Sequence, residues 1–183
     1  MAILGVDDFK SKIAGGGARP NLFQVTLNFP AYAGGNTEIS SFLVRAASLP
    51  ASNIPEMIVP IRGRQLKIAG DRVFEPWATT ILNDTDFLLR NAVERWMNGM
   101  NAHQLNTGLV NPVDYQADLK VFQLDRDDNV LKVYIFRNAW PVNVASIELS
   151  TETTNAIEEF ECTWRYQHFE ASEVTSGISA VAG

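Results

Sequence analysis

Few residues in this 183-residue chain are capable of chemistry, and their spacing is poor for it. His103 and His168 are far apart, neither has a second ligand at zinc spacing, and Cys162 is the single cysteine. A catalytic cysteine needs a histidine beside it and an electropositive setting. Cys162 instead follows Glu161 and lies between Phe160 and Trp164 on one side of an alternating segment, which predicts a buried, inert thiol. His168 falls on the same side and reads as a core or interface histidine. Asp125, Asp127 and Asn129 match the first three ligand positions of a calcium loop, but Val130 stands where the sharp turn needs Gly. Phe136 occupies the position of the final carboxylate, so this segment is expected to be a charged hairpin tip. Gly15-Gly16-Gly17 lacks the Lys-Ser/Thr of a phosphate loop and reads as a linker. No carboxylate pair has an apolar setting suited to acid–base work. The expectation is no enzyme, no metal and no cofactor.

One basic cluster remains: Arg62, Arg64, Lys67 and Arg72. It could meet phosphate, or equally an acidic patch on a sister subunit. The chain carries 15 Lys+Arg against 21 Asp+Glu, a net charge of −6, which argues against a surface built to grip nucleic acid. The charge is also uneven. Residues 1–72 hold eight basic and five acidic residues, leaving nine net negative charges on residues 73–183. Such a split suits two electrostatically distinct surfaces that meet copies of themselves, or simply a solvated acidic face. A single cysteine excludes a disulfide-stapled scaffold, and no apolar run approaches the ~20 residues of a membrane span. Asp7 and Asp8 come too early for a signal peptide, so a soluble protein without a membrane anchor is expected.

Hydrophobic periodicity supplies the elements that must position these groups. Phe23, Val25, Leu27 and Phe29 alternate with polar residues, the period of a half-buried strand. A turn at Gly34-Gly35-Asn36 leads to a second strand, FLVRAASL. Pro50, Pro55 and Pro60 predict a loop or the rim of a long hairpin, followed by the alternating RGRQLKI. VFEPWATTIL at 73–82 is a further strand. Leu89, Ala92, Val93, Trp96, Met97 and Met100 form one stripe of a helix over about 84–101, capped by Asn83 or Asp84. Residues 117–125 and 129–137 predict a hairpin that Trp140-Pro141 ends. A short strand at IELST and a long one at 156–170 follow. The expected fold is mainly β: a barrel or sandwich of about seven strands with one flanking helix. Residues 1–18 are expected to be a flexible lead, 19–170 the domain, and 171–183 a mobile tail.

Four segments occur in one order and spacing: ARPNLFQV at 18–25, IAGDRVFEPWATTILND at 68–84, RNAVERWMNGMN at 90–101 and AWPVNVASIELS at 139–150. Together, over roughly residues 18–170, the chain resembles the tail tube proteins of contractile-tailed bacteriophages. The resemblance implies a structural virion protein of the tail, assembled in the host cytoplasm. Six-membered rings of such subunits stack into a hollow tube inside a contractile sheath, and strands from all six line one inner barrel. The implied partners are further copies of the chain and the sheath, baseplate and tail-terminator proteins. Double-stranded DNA passes through without specific binding.

Elementary geometry agrees with that role. About four strands from each of six subunits, spaced ~4.8 Å and tilted ~40°, close at roughly 48 Å across. About 10 Å of side chains leaves ample room for a duplex ~20 Å wide, and an acidic wall would let DNA slide. Glu159 and Glu161, then Glu148 and Asp118, are the candidates for the lumen. Arg62, Arg64 and Lys67, on the loop and hairpin of residues 50–67, are the candidates for ring stacking against the next ring's acidic rim. Two alternatives share part of this reading: the tube of a type VI or extracellular contractile injection system that delivers protein effectors, and a monomeric ligand-binding β-barrel.

Overall fold

The computed structural model of the chain describes residues 5–13 and 17–172. Gly15, Gly16 and the tail from residue 173 lie outside the described residues. Within the N-terminal lead, Val6–Lys12 forms a short helix, α1, with Val6 and Phe9 exposed. The domain is a seven-stranded antiparallel sheet that coils around its own core. Its strands are β1 (Phe23–Leu27), β2 (Val44–Ala47), β5 (Trp77–Leu82), β6 (Ala117–Leu124), β7 (Val130–Val144), β8 (Glu159–Arg165) and β9 (His168–Ala171). The order is β1-β6-β7-β8-β5-β2, with β9 continuing along β7. Glu56–Ile61 and Arg64–Ala69 form a separate hairpin, β3–β4.

β7 is the spine. Its first part pairs with β6 and β9, and Trp140–Val144 pairs with β8, so one strand passes between two halves of the sheet. The sequence reading ended the strand at Trp140-Pro141. The chain instead bends at Asn138, whose φ is 53°, and continues. Pro141 sits opposite Trp164 before a register shift between Pro141 and Asn143, where an irregular ladder accommodates a residue without a donor. The long strand expected at 156–170 begins at Glu159 and is interrupted at Tyr166-Gln167, beside the Asn138 bend. That interruption reverses side-chain alternation. Phe160, Cys162, Trp164 and Tyr166 are buried, but His168 points out and is exposed. IELST forms no strand and belongs to a loop over residues 145–158.

The two halves face one another across an aromatic core. Trp77, Ile81, Phe160 and Trp164 come from one half; Val25, Leu27, Leu119, Val121 and Phe136 come from the other. Trp77 and Phe136 stack at 4.3 Å. The helix read from periodicity is Leu88–Met100 (α3), and it buries Leu89, Ala92, Val93 and Trp96. It starts four residues later than expected because Asp84–Phe87 form a turn, and Asp84 Oδ1 then accepts from the Leu88 amide at 2.9 Å. Trp96 Nε1 donates to the Tyr115 carbonyl at 2.6 Å, and its ring lies 5.5 Å from Trp164. Gly99 lets Tyr32 approach: a Cβ there would fall 2.2 Å from the tyrosine ring. Burial pushes the Tyr32 hydroxyl up to about 12, and it donates to the Trp96 carbonyl.

Sequence periodicity missed α2 (Thr37–Leu43), which occupies the start of the expected second strand. Asn36 caps it by accepting from the Glu38 and Ile39 amides. Its Ser40, fully buried, accepts from the Leu27 amide at 3.0 Å and donates to the Thr37 carbonyl at 2.6 Å. This helix therefore satisfies β1 where no strand among the described residues pairs with it on its far side. A last short helix, α4 (Pro112–Tyr115), leads into β6. No helix among the described residues is long and apolar enough to cross a membrane.

Candidate assembly surfaces

The β3–β4 hairpin is exposed along nearly its whole length, on both faces. Ile61-Arg62-Gly63-Arg64 is a two-residue turn with positive φ at Arg62 (48°) and Gly63 (78°), matching the twist of the flanking strands. The register decides which side chains share a face. Met57 lies opposite Ile68, Val59 opposite Leu66, and Ile61 opposite Arg64. The second face carries Glu56 with Ala69, Ile58 with Lys67, and Pro60 with Gln65. The expected basic cluster is thereby divided. Lys67 pairs with Glu56 at 3.0 Å on one face, whereas Arg64 shares the apolar face. Arg62 and Arg64 make no ion pair among the described residues. Met57, Ile61 and Leu66 are each about half exposed. A two-stranded hairpin is marginal in water, and an apolar face on one marks a surface that gains by being covered.

The candidate lumen residues are divided as well. Glu159 and Glu161 lie on the outward face of the β7–β8–β5–β2 half, beside Leu82 and Thr80 of β5. Thr163, Ala78 and Ala46 continue that face. Arg45 donates to Glu159, and Arg165 is exposed in the same row, so the face is small, polar and nearly balanced in charge. Asp118 lies on the other half. It accepts from Arg137, which also donates to Glu170 at 2.8 Å, making a three-residue clamp across β6, β7 and β9. Arg137 holds the Glu170 carboxyl below its ordinary range, and the two acids together raise the guanidinium. Asp118 also accepts from the Asn138 amide and so supports the bend. Glu148 stands in the 145–158 loop, in a cleft of about 410 Å³ that also includes Leu149, Ile157, Glu158 and Glu159. The structure thus brings Glu159 and Glu161 onto one wall, with Glu148 near Glu159 and Asp118 elsewhere.

Cys162 is fully buried, and desolvation pushes its thiol well above the ordinary range, as the sequence predicted for an inert cysteine. Asp125–Asn129 form a turn closed by the Asp125 amide donating to the Asn129 carbonyl at 2.8 Å. What sequence reasoning did not find is the pair of free edges. Among the described residues, no strand pairs with the far side of β2, nor with residues 140–144 of β7 on the side away from β8. The hairpin's apolar face was legible once Met57, Val59, Ile61, Leu66 and Ile68 were set in register.

A family model described as phage tail tube protein matches residues 18–172. The tail tube protein of Serratia phage KSP90 is 31% identical over 165 residues, spanning 88% of this chain and 93% of that one. Tail tube protein gp19 of Enterobacteria phage T4 is also 31% identical, spanning 90% and 99%. Among solved structures, the extended sheath–tube complex of the PVC extracellular contractile injection system contains a chain with TM-score 0.63 at 15% identity, covering 88% of this chain and 95% of that chain. A chain in the tube-terminating cap of the anti-feeding prophage aligns with TM-score 0.62 at 20% identity, covering 85% and 90%.

Proposed function

Since the chain belongs to the phage tail tube protein family, the structural tube components of contractile virion tails, we propose that six copies close edge to edge into rings whose stack conducts double-stranded DNA. The observation carrying this reading is the four-stranded half β7–β8–β5–β2. Its neighbours are all antiparallel, and both outer edges lack a strand partner among the described residues. Four is even, so the β2 edge of one copy meets the β7 edge of the next in antiparallel sense, and the alternation continues around the ring. Heterologous contacts of this kind close when the rotation per subunit closes, and closure removes edges that would otherwise aggregate.

The inner wall is then the face carrying Ala46, Ala78, Thr80, Glu161 and Thr163, with Arg45 neutralised by Glu159. It lacks a basic stripe, and DNA held by few phosphate contacts slides freely. Glu161 is offset by Arg165 in the same row, and Asp118, which Arg137 occupies, lies on the other half, so the wall is near neutral instead of acidic. Residues 19–170 serve as the tube domain, and the lead and tail are extensions of it. Assembly takes place in the host cytoplasm, with sheath outside the tube and baseplate and terminator proteins at its ends. Catalysis has no part in this reading. A ligand-binding barrel is disfavoured because Trp77, Trp96, Trp164, Phe136 and Phe160 fill the interior.

Electron microscopy with mass measurement over a concentration series tests the proposal. Six-fold rings and tubes are expected. A monodisperse 20.3 kDa species at every concentration refutes it.

A further inference from the structure

We propose that the groove between Leu49 and the start of β7 is the seat of the segment that follows Ser172, held within the same copy of the chain. This contact is intramolecular and does not depend on how copies assemble.

The groove encloses about 470 Å³ and is walled by Ala18, Pro20, Leu49, Leu131 and Tyr134. Leu49 and Leu131 are 46% and 47% exposed. Leu131 and Lys132 are neighbours in sequence, yet both line it. The β6–β7 ladder slips between Gln123 and Leu124, so three residues of β7 oppose two of β6 and strict alternation fails there. Gln123 fixes the opposite wall: its Nε2 donates to the Arg19 carbonyl at 2.6 Å and to the Leu22 carbonyl at 3.0 Å. The charged side chains of the lining are Arg19 and Lys132, and no acid joins them. Neither has an ion-pair partner among the described residues. Lys132 Nζ lies 5.4 Å from the centre of the Tyr134 ring. The seat therefore suits an apolar segment that carries one negative charge.

Strand register delivers such a segment to the mouth of the groove. β9 runs antiparallel to β7 with Ala171 opposite Tyr134. Ser172 then takes both backbone groups of Val133. Its amide donates to the Val133 carbonyl at 2.9 Å, and its hydroxyl accepts from the Val133 amide at 3.0 Å. The next residue in this register stands opposite Lys132, on the face that Ala171 and Tyr134 share. That residue is Glu173, the single charged residue of 173–183, and Val174 and Ile178 follow it. Residues 173–178 in extended form reach roughly 20 Å, enough to carry apolar side chains from β7 towards Leu49.

The other amphipathic segment of the chain, α1, fits less well. Val6, Phe9 and Ile13 form its exposed apolar stripe, but Lys10 and Lys12 flank that stripe and would face Arg19 and Lys132 with like charge. Its Asp7 already has Lys10 at 3.8 Å. Seated in the groove, the segment after Ser172 braces Leu49, in the stretch between β2 and the hairpin, against β7.

The test is maleimide labelling of Leu49→Cys, and separately of Leu131→Cys, in the full chain and in a chain ended after Ser172. Cys162 is fully buried and does not compete. A covered thiol reacts only while its cover is open, so both cysteines should react about tenfold or more faster in the shortened chain. Glu173→Lys in the full chain should speed labelling by about two- to fivefold, and adding Lys132→Glu should restore the protection. Equal rates in full and shortened chains overturn the proposal. Faster labelling on removal of residues 1–13, with no effect of shortening the chain at Ser172, gives the groove to α1 and overturns it too. A third result does the same: a shortened Leu49→Cys chain that becomes protected when mixed with full chain lacking that cysteine. The segment then comes from another copy.

Discussion

Leu66→Ser separates folding from assembly and has a magnitude that follows from the structure. Leu66 lies on the apolar face of the hairpin opposite Val59 and is 51% exposed in the single subunit. Fully burying a leucine side chain is worth about 1.5–3 kcal/mol, so covering the exposed half contributes about 1 kcal/mol per subunit when the hairpin docks. Six hairpins acting together at one ring junction would make this about 6 kcal/mol, a loss of about 10⁴-fold in ring–ring affinity for the variant. Within the subunit the substitution removes a cross-strand contact worth about 0.2–1 kcal/mol. Pelleting over a concentration series should therefore show a steep rise in the critical concentration, while urea unfolding of the unassembled protein moves little. Two results would refute the reasoning. An unchanged critical concentration means that the face stays uncovered in the assembly. A loss of more than about 2 kcal/mol in subunit stability means that Leu66 belongs to the core.

Two further perturbations probe the fold that carries these surfaces. Ser40→Ala strands the Leu27 amide in a fully buried site, at a cost of about 1–3 kcal/mol, and should lower the melting temperature by about 2–4 °C per kcal/mol; a melting point equal to the parent's shows that α2 does not close the β1 edge. The Glu170 carboxyl is held down by Arg137, so its contribution is complete above the unfolded value of about 4.3 and is lost as pH falls through the lower folded value. The stability gap between the parent and Glu170→Gln should therefore be open at pH 7 and narrow towards pH 3, and urea titrations showing a constant gap contradict the clamp.

Much of the domain was legible in the chain because two periods were clean. Alternation over 23–29 and the three-and-four spacing of Leu89, Val93 and Trp96 each identify a face that must be buried, and the structure buries Val25, Leu27, Leu89, Val93 and Trp96. Alternation also identified Cys162 as core, yet it misplaced His168, because a one-residue irregularity at Tyr166-Gln167 reverses every later side chain. Asn36, expected in a turn, caps a helix whose last two residues, Phe42 and Leu43, were expected to open a strand, since seven residues are too few for the helical period to stand out.

The assembly surfaces were less legible. Arg62, Arg64 and Lys67 are close in sequence, but strand register puts Arg64 and Lys67 on opposite faces. Asp118 carries a negative charge in any reading, and only the fold reveals that Arg137 occupies it. Composition and local order by themselves determined that the chain is an acidic, mainly β domain with a basic segment near residue 62 and an acidic stretch after residue 148. The tertiary structure decided that the hairpin is rooted at one end of β5 and the 145–158 loop lies at the other, because strand direction and pairing depend on residues far apart in the chain.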